Sequence, residues 1–181
     1  MNLPETYDYL VRSRRDLWTA LEAVPDELLS RPLLDGPRFH CIKDLVLHIP
    51  AVEDSWLHED ILKDEPVWER VPEISGAQDG PYFAETPLPS LLTYWRAVEA
   101  GTLSYLATLT PEELTRQVTV NGSKGEERFT VDGLLWHVMI HEMRHSAQIG
   151  VLLRLSGVKP PFLDLLNYLP AQPGTTGGPG L

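Results

Sequence analysis

The stretch LLWHVMIHEMRHSAQIGVLL, residues 134–153, decides the fold and carries the chemistry, because His141 and His145 stand four residues apart within it. Four residues turn a helix by about 400°, a net offset of about 40°, and climb about 6 Å, so the two imidazoles project from one face. Such a pair suits one zinc-like ion, whose nitrogen ligands lie about 2.0–2.1 Å away. The core of the stretch, HEMRH, also matches H-E-x-x-H, the metalloprotease pattern in which Glu142 would serve as general base.

Working outward, the helix that carries these histidines is predicted from Val131 to Leu155, where Ser156-Gly157 and then Pro160-Pro161 stop it. Three more amphipathic segments precede it. From Leu3 to Val24 an apolar stripe runs through Tyr7, Leu10, Val11, Leu17, Trp18 and Leu21, with Arg12, Arg14, Arg15 and Asp16 assigned to the other side. From Ile42 to Lys63 the stripe is Cys41, Leu45, His48, Val52 and Trp56, and Pro50 predicts a kink beside His48. A third runs from Leu88 to Leu109. Between the second and third, residues 65–87 hold four prolines and two glycines and read as a long ordered loop, either a functional lid or a cover over the core. Thr110-Pro111-Glu112-Glu113 is a helix-start signature, and QVTV and ERFT around NGSKGE predict a small β-hairpin. The fold class is therefore all-α, a four-helix bundle with a hairpin before the last helix, whose facing helices commonly build metal sites. Residues 1–169 form one domain, and residues 170–181 are a Pro/Gly-rich, flexible tail.

Composition narrows the function. With 181 residues, 43% of them hydrophobic, the chain supports a single sizeable core. A net charge of −11 and a pI near 4.9 make nucleic acid and anionic membranes poor partners. No apolar run approaches the roughly 20 residues that span a bilayer. The opening MNLPETYDYL lacks the basic and apolar regions of a secretory signal, so the expected compartment is the cytoplasm. A single cysteine, Cys41, excludes a disulfide framework and reads as a small buried residue.

A catalytic metal site typically takes three protein ligands and keeps a position open. His137 continues the series at i, i+4, i+8, but lies about 12 Å along the axis from His145, too far for all three to grip one ion. Spacing leaves open whether the pair is His137 with His141 or His141 with His145, the remaining one being a packing residue or a neighbour of the ligands. His58 lies beside Asp54, Glu59 and Asp60, on what reads as a solvated face, and His40 precedes the second helix. His48 stands in the apolar stripe between Leu45 and Val52, points inward, and is the candidate third ligand.

KDLVLHIPAVEDSWL, residues 43–57, together with LLWHVMIHEMRHSAQIGVLL resembles the DinB/YfiT-like superfamily of four-helix metal-binding proteins, over residues 4–157. That resemblance implies one histidine ligand on the second helix and two on the last, with a glutamine three residues on: His48, His141, His145 and Gln148. It selects His145 over His137. His137, Glu142 and Gln148 remain as residues that would orient the ligands. Where many members read Arg-Gly before the glutamine this chain has Ser146-Ala147, a departure that touches the surroundings of the site rather than its ligands.

The resemblance further implies a homodimer and a small-molecule substrate. It suggests a metal-dependent S-transferase or isomerase that uses a low-molecular-weight thiol such as bacillithiol or mycothiol. The alternatives are a non-catalytic, stress-associated metal-binding module and an HExxH metallohydrolase. The protease pattern is weakly supported, since the metzincin extension requires Gly at 148 and His at 151, where this chain has Gln148 and Val151. Asp164 is the remaining downstream acid. Three imidazoles accept zinc, nickel, iron or manganese alike.

Overall fold

A computed structural model describes residues 1–36, 38–74, 85–122 and 125–170. Its long helices are α1 (Leu3–Glu22), α3 (Ile42–Asp54), α4 (Leu88–Leu106) and α6 (Val131–Leu155), with short helices α2 (Asp26–Ser30) and α5 (Pro111–Thr115) between them. Each long helix begins where local chemistry favours it. Asn2 and Glu5 form a reciprocal capping box, each accepting from the other's backbone N–H at 3.0 Å. Thr130 caps α6 by accepting from the Gly133 N–H at 3.1 Å. The hairpin is present as β1 (Gln117–Gly122) paired antiparallel with β2 (Gly125–Thr130), and its strand end leads directly into α6.

Helix α3 packs against both α4 and α6, and so does α1, which sets α1 and α3 across the bundle from each other. The order is thus not simple up-down-up-down. No helix among the described residues is long and apolar enough to cross a membrane.

Several sequence expectations change. The second helix remains α-helical through Pro50 and instead widens into π-type turns over Ser55–Leu62, ending at Lys63 with φ of 57°. The departure lies where two polar residues, Asp54 and His58, are drawn inside. His58 was expected on a solvated face but is only 7% exposed. Its Nδ1 lies 2.7 Å from Asp54 Oδ1. Asp54 is itself fully buried and accepts from the Val67 and Trp68 backbone N–H groups and from the Tyr94 hydroxyl. The third helix ends at Leu106, three residues early.

Of the 65–87 loop, the described part covers the core: Val67, Trp68 and Ile74 are buried in it. Residues 75–84 and 171–181 lie outside the described residues, as do the lid and tail readings that depend on them. Cys41 is buried as expected, and desolvation raises its thiol pKa to about 11, which leaves it unreactive at neutral pH.

The core is layered. Along α1, one apolar cluster takes Leu3, Tyr7 and Leu10 and the other takes Leu17, Trp18 and Leu21. Arg14 falls between them, and the same interruption recurs at Glu53 on α3, Glu99 on α4 and Glu142 on α6, all buried. Arg14, assigned by its charge to the outer face, is 1% exposed. Its Nε and Nη2 donate to the two carboxylate oxygens of Glu142 at 2.6 and 2.5 Å, Nη2 to Glu53 at 3.0 Å and Nη1 to Glu99 at 3.1 Å. Thr102 and Tyr7 also donate to Glu53, and half-exposed Arg15 reaches Glu99. Burial alone would depress the Arg14 pKa, but Glu142 and Glu53 outweigh it and hold the guanidinium charged.

Candidate metal centre

The face of α6 that neighbours this ionic layer carries the candidate ligands. His141 and His145 are one turn apart, both buried, and meet half-buried His48 from α3. The His141 and His145 ring centroids are 4.3 Å apart, and the His48 ring lies 4.8 Å from the first and 4.9 Å from the second. One nitrogen of each ring can be chosen so that all three lie within 4.8 Å of one another, and His48 Nε2 and His141 Nε2 are 3.0 Å apart. An ion about 2.0–2.1 Å from each nitrogen sets neighbouring donors roughly 3.0–3.4 Å apart, so one edge of the triangle already has ligation length.

The orienting contacts follow. His145 Nδ1 donates to Gln148 Oε1 at 2.6 Å, which fixes the tautomer and leaves Nε2 as the nitrogen with a lone pair to offer an ion. Phe39 closes one side, its ring 4.5 Å from His48 and 5.7 Å from His145. Its φ of 62° is a left-handed conformation that a bulky residue seldom adopts, and it seats the ring against the histidines.

Desolvation lowers the pKa of His48 to about 4 and of His141 to about 3, with further lowering by the neighbouring rings and guanidinium groups. Desolvation also lowers that of His145, against the upward pull of its Gln148 bond. All three are therefore neutral at physiological pH, the form that binds metal. Between pH 6.5 and about 4 the unfolded chain takes up protons on these histidines that the metal-free fold refuses, so stability falls with falling pH across that window. Urea titrations of metal-free protein should show it, and the slope should flatten in His48→Gln; an unchanged slope would mean that the cluster is not neutral.

The other candidates sit elsewhere. His137 is exposed, with its ring edge-on to Trp56 at 5.5 Å and 6.1 Å from His141. His40 is held near Leu34 and Asp44, before α3. Asp164 is exposed and lies near Tyr9 and Ser13, apart from the histidines. Glu142 is turned into the ionic layer, both oxygens on Arg14, and is not placed to activate water at the triad. Sequence reading missed this layer although its signal was present. Arg14 is four residues after Leu10 and three before Leu17, on the stripe itself, and Glu142 is likewise four after Val138 and seven before Ile149.

Three histidines from two helices of such a bundle, with a glutamine one turn after the last, accompany a sequence that matches the DinB family over residues 1–177. The chain belongs to the DinB family. Among solved structures, this DinB protein is similar to a conserved protein from Enterococcus faecalis, with 19% identity and a TM-score of 0.65 over 86% of this chain and 98% of the other. It is also similar to a DinB-like protein from Bacillus subtilis, with 17% identity and a TM-score of 0.56 over 88% and 96%. At those identities the likeness concerns the fold. No curated protein matches the sequence.

Proposed function

We propose that this DinB protein is a cytoplasmic, homodimeric metalloenzyme that holds one divalent ion on His48, His141 and His145 and transfers a low-molecular-weight thiol to a small electrophile. The observation that carries the reading is the convergence of three neutral imidazoles at a partly open position. When bound, the ion would lower the pKa of a thiol beside it and polarise an electrophile. The protein's own residues supply the rest. Gln148 orients His145, Phe39 shields one side of the cluster from water, and the guanidinium of Arg144, 3.4 Å from His145 Nε2, favours an anion at the mouth. Zinc, nickel, iron and manganese all suit this donor set.

The burial of Glu142 against Arg14 favours thiol transfer over H-E-x-x-H hydrolysis, because a thiolate needs no general base. Purified, metal-loaded protein should transfer a thiol such as bacillithiol to a model electrophile, lose that activity on chelation and regain it with the metal. Glu142→Gln should lower stability yet retain metal and most of the transfer rate. Removing a true general base would instead cost about 10²–10⁴-fold. Metal-dependent proteolysis abolished in Glu142→Gln would overturn the reading, and absence of both activities would leave a non-catalytic metal-binding module.

A further inference from the structure

Next to the triad, between α6 and the segment that precedes α3, lies a cavity of about 420 Å³. Small-molecule sites run roughly 300–1,000 Å³. Its walls are largely apolar, formed by Leu34, Phe39, Leu45, Val151, Leu152 and Leu155. Leu34, Val151 and Leu155 are 44%, 55% and 63% exposed, so the surface is open to solvent. The cavity is continuous with the histidine cluster through two residues: Phe39, which packs on His48 and His145, and Gln148, which holds His145. From Gln148 to Leu155 the wall follows one face of α6 for seven residues, about 10 Å, the length of an extended chain of roughly eight carbons.

The polar end is cationic. Arg38 lines the cavity with its guanidinium carbon 5.2 Å from the Phe39 ring centroid, and Arg144 stands beside His145. The chain as a whole carries a net charge of −11, so this cationic end stands out against an acidic molecule. Asp35 is the acid among the lining residues. A divalent ion on three neutral ligands would add two further positive charges with no carboxylate ligand to offset them.

We propose that this cavity binds one substrate of the metal centre, a soluble anionic amphiphile whose carboxylate head lies between Arg38 and the triad and whose aliphatic tail of roughly eight carbons lies along α6. It rests on the triad being a metal centre only for the function of the bound molecule; the fit of the tail and of the anionic head is a property of the cavity and of Arg38.

The test is binding of octanoate, butyrate and octylamine, measured calorimetrically on the full chain, metal-free and zinc-loaded, with metal content determined in parallel. Octanoate should bind tighter than either comparator, and zinc should tighten it further. Arg38→Ala should weaken octanoate about two- to fivefold, as for an exposed charge pair, without changing metal content. Val151→Trp, at an exposed position, should block the tail and weaken octanoate while leaving butyrate unchanged. Octanoate binding no tighter than octylamine, or no tighter than butyrate, would overturn the proposal. So would a self-association that octanoate does not disturb and Leu155→Glu breaks, which would assign the face to a second copy. Octanoate binding without any metal binding would sink the metal centre but not the cavity, and metal binding without octanoate binding would do the reverse.

Discussion

Replacing His141 with alanine is expected to lower divalent-metal affinity by about 10²–10³-fold, the share of one ligand in a site worth about 10–16 kcal/mol over four donors. His141 is in ring contact with both His48 and His145. His48→Ala and His145→Ala should behave alike. Gln148→Ala should cost less, about 10–100-fold, because it leaves the ligands in place but frees the His145 ring. His137→Ala should change metal content little, since its ring packs on Trp56 outside the cluster. Metal titration of the five variants, with thermal unfolding of each metal-free protein as control, gives the order. Full occupancy in His48→Ala, or equal losses in His137→Ala and His145→Ala, would mean that another set of ligands holds the ion.

The second large effect lies in the ionic layer. Arg14→Met should destabilise the protein by about 3–5 kcal/mol, because removing one partner of a buried pair leaves the others charged and uncompensated. Here three carboxylates, on Glu53, Glu99 and Glu142, converge on one guanidinium. For a domain of this size that corresponds to a fall in Tm of roughly 6–20 °C. Adding Glu142→Gln to Arg14→Met should restore part of the loss, since desolvation already raises the Glu142 pKa against the opposing pull of Arg14. Chemical denaturation of the two single variants and the double variant closes the cycle. A loss below about 1 kcal/mol in Arg14→Met would show that the layer contributes little.

The physical role we assign to this layer is specification. A charged layer at one level of all four long helices is satisfied only when they meet in one register, whereas apolar stripes tolerate sliding. Because Glu142 and its α6 neighbours His141 and His145 share two turns, the same constraint that seats Glu142 on Arg14 sets the level at which the histidines face His48.

Helix-period stripes, turn residues and the i, i+4 histidine pair are local properties, and they determined from sequence alone the all-α bundle, the hairpin before α6 and the inward placement of His48. Spacing could not choose between His137 and His145, since both are four residues from His141; the helix packing brings His145 to His48 and leaves His137 outside on Trp56. Nor could it show the fate of buried charge. Arg14 and Asp54 read as surface residues because an isolated ion is too costly to bury, and it is carboxylates 39 to 128 residues distant along the chain for Arg14, and donors 13 to 40 residues distant for Asp54, that make their burial possible. The same holds for Glu142. Its place in a five-residue pattern suggests a general base, but the side chain that decides its chemistry is on α1, and only the tertiary structure puts the two together.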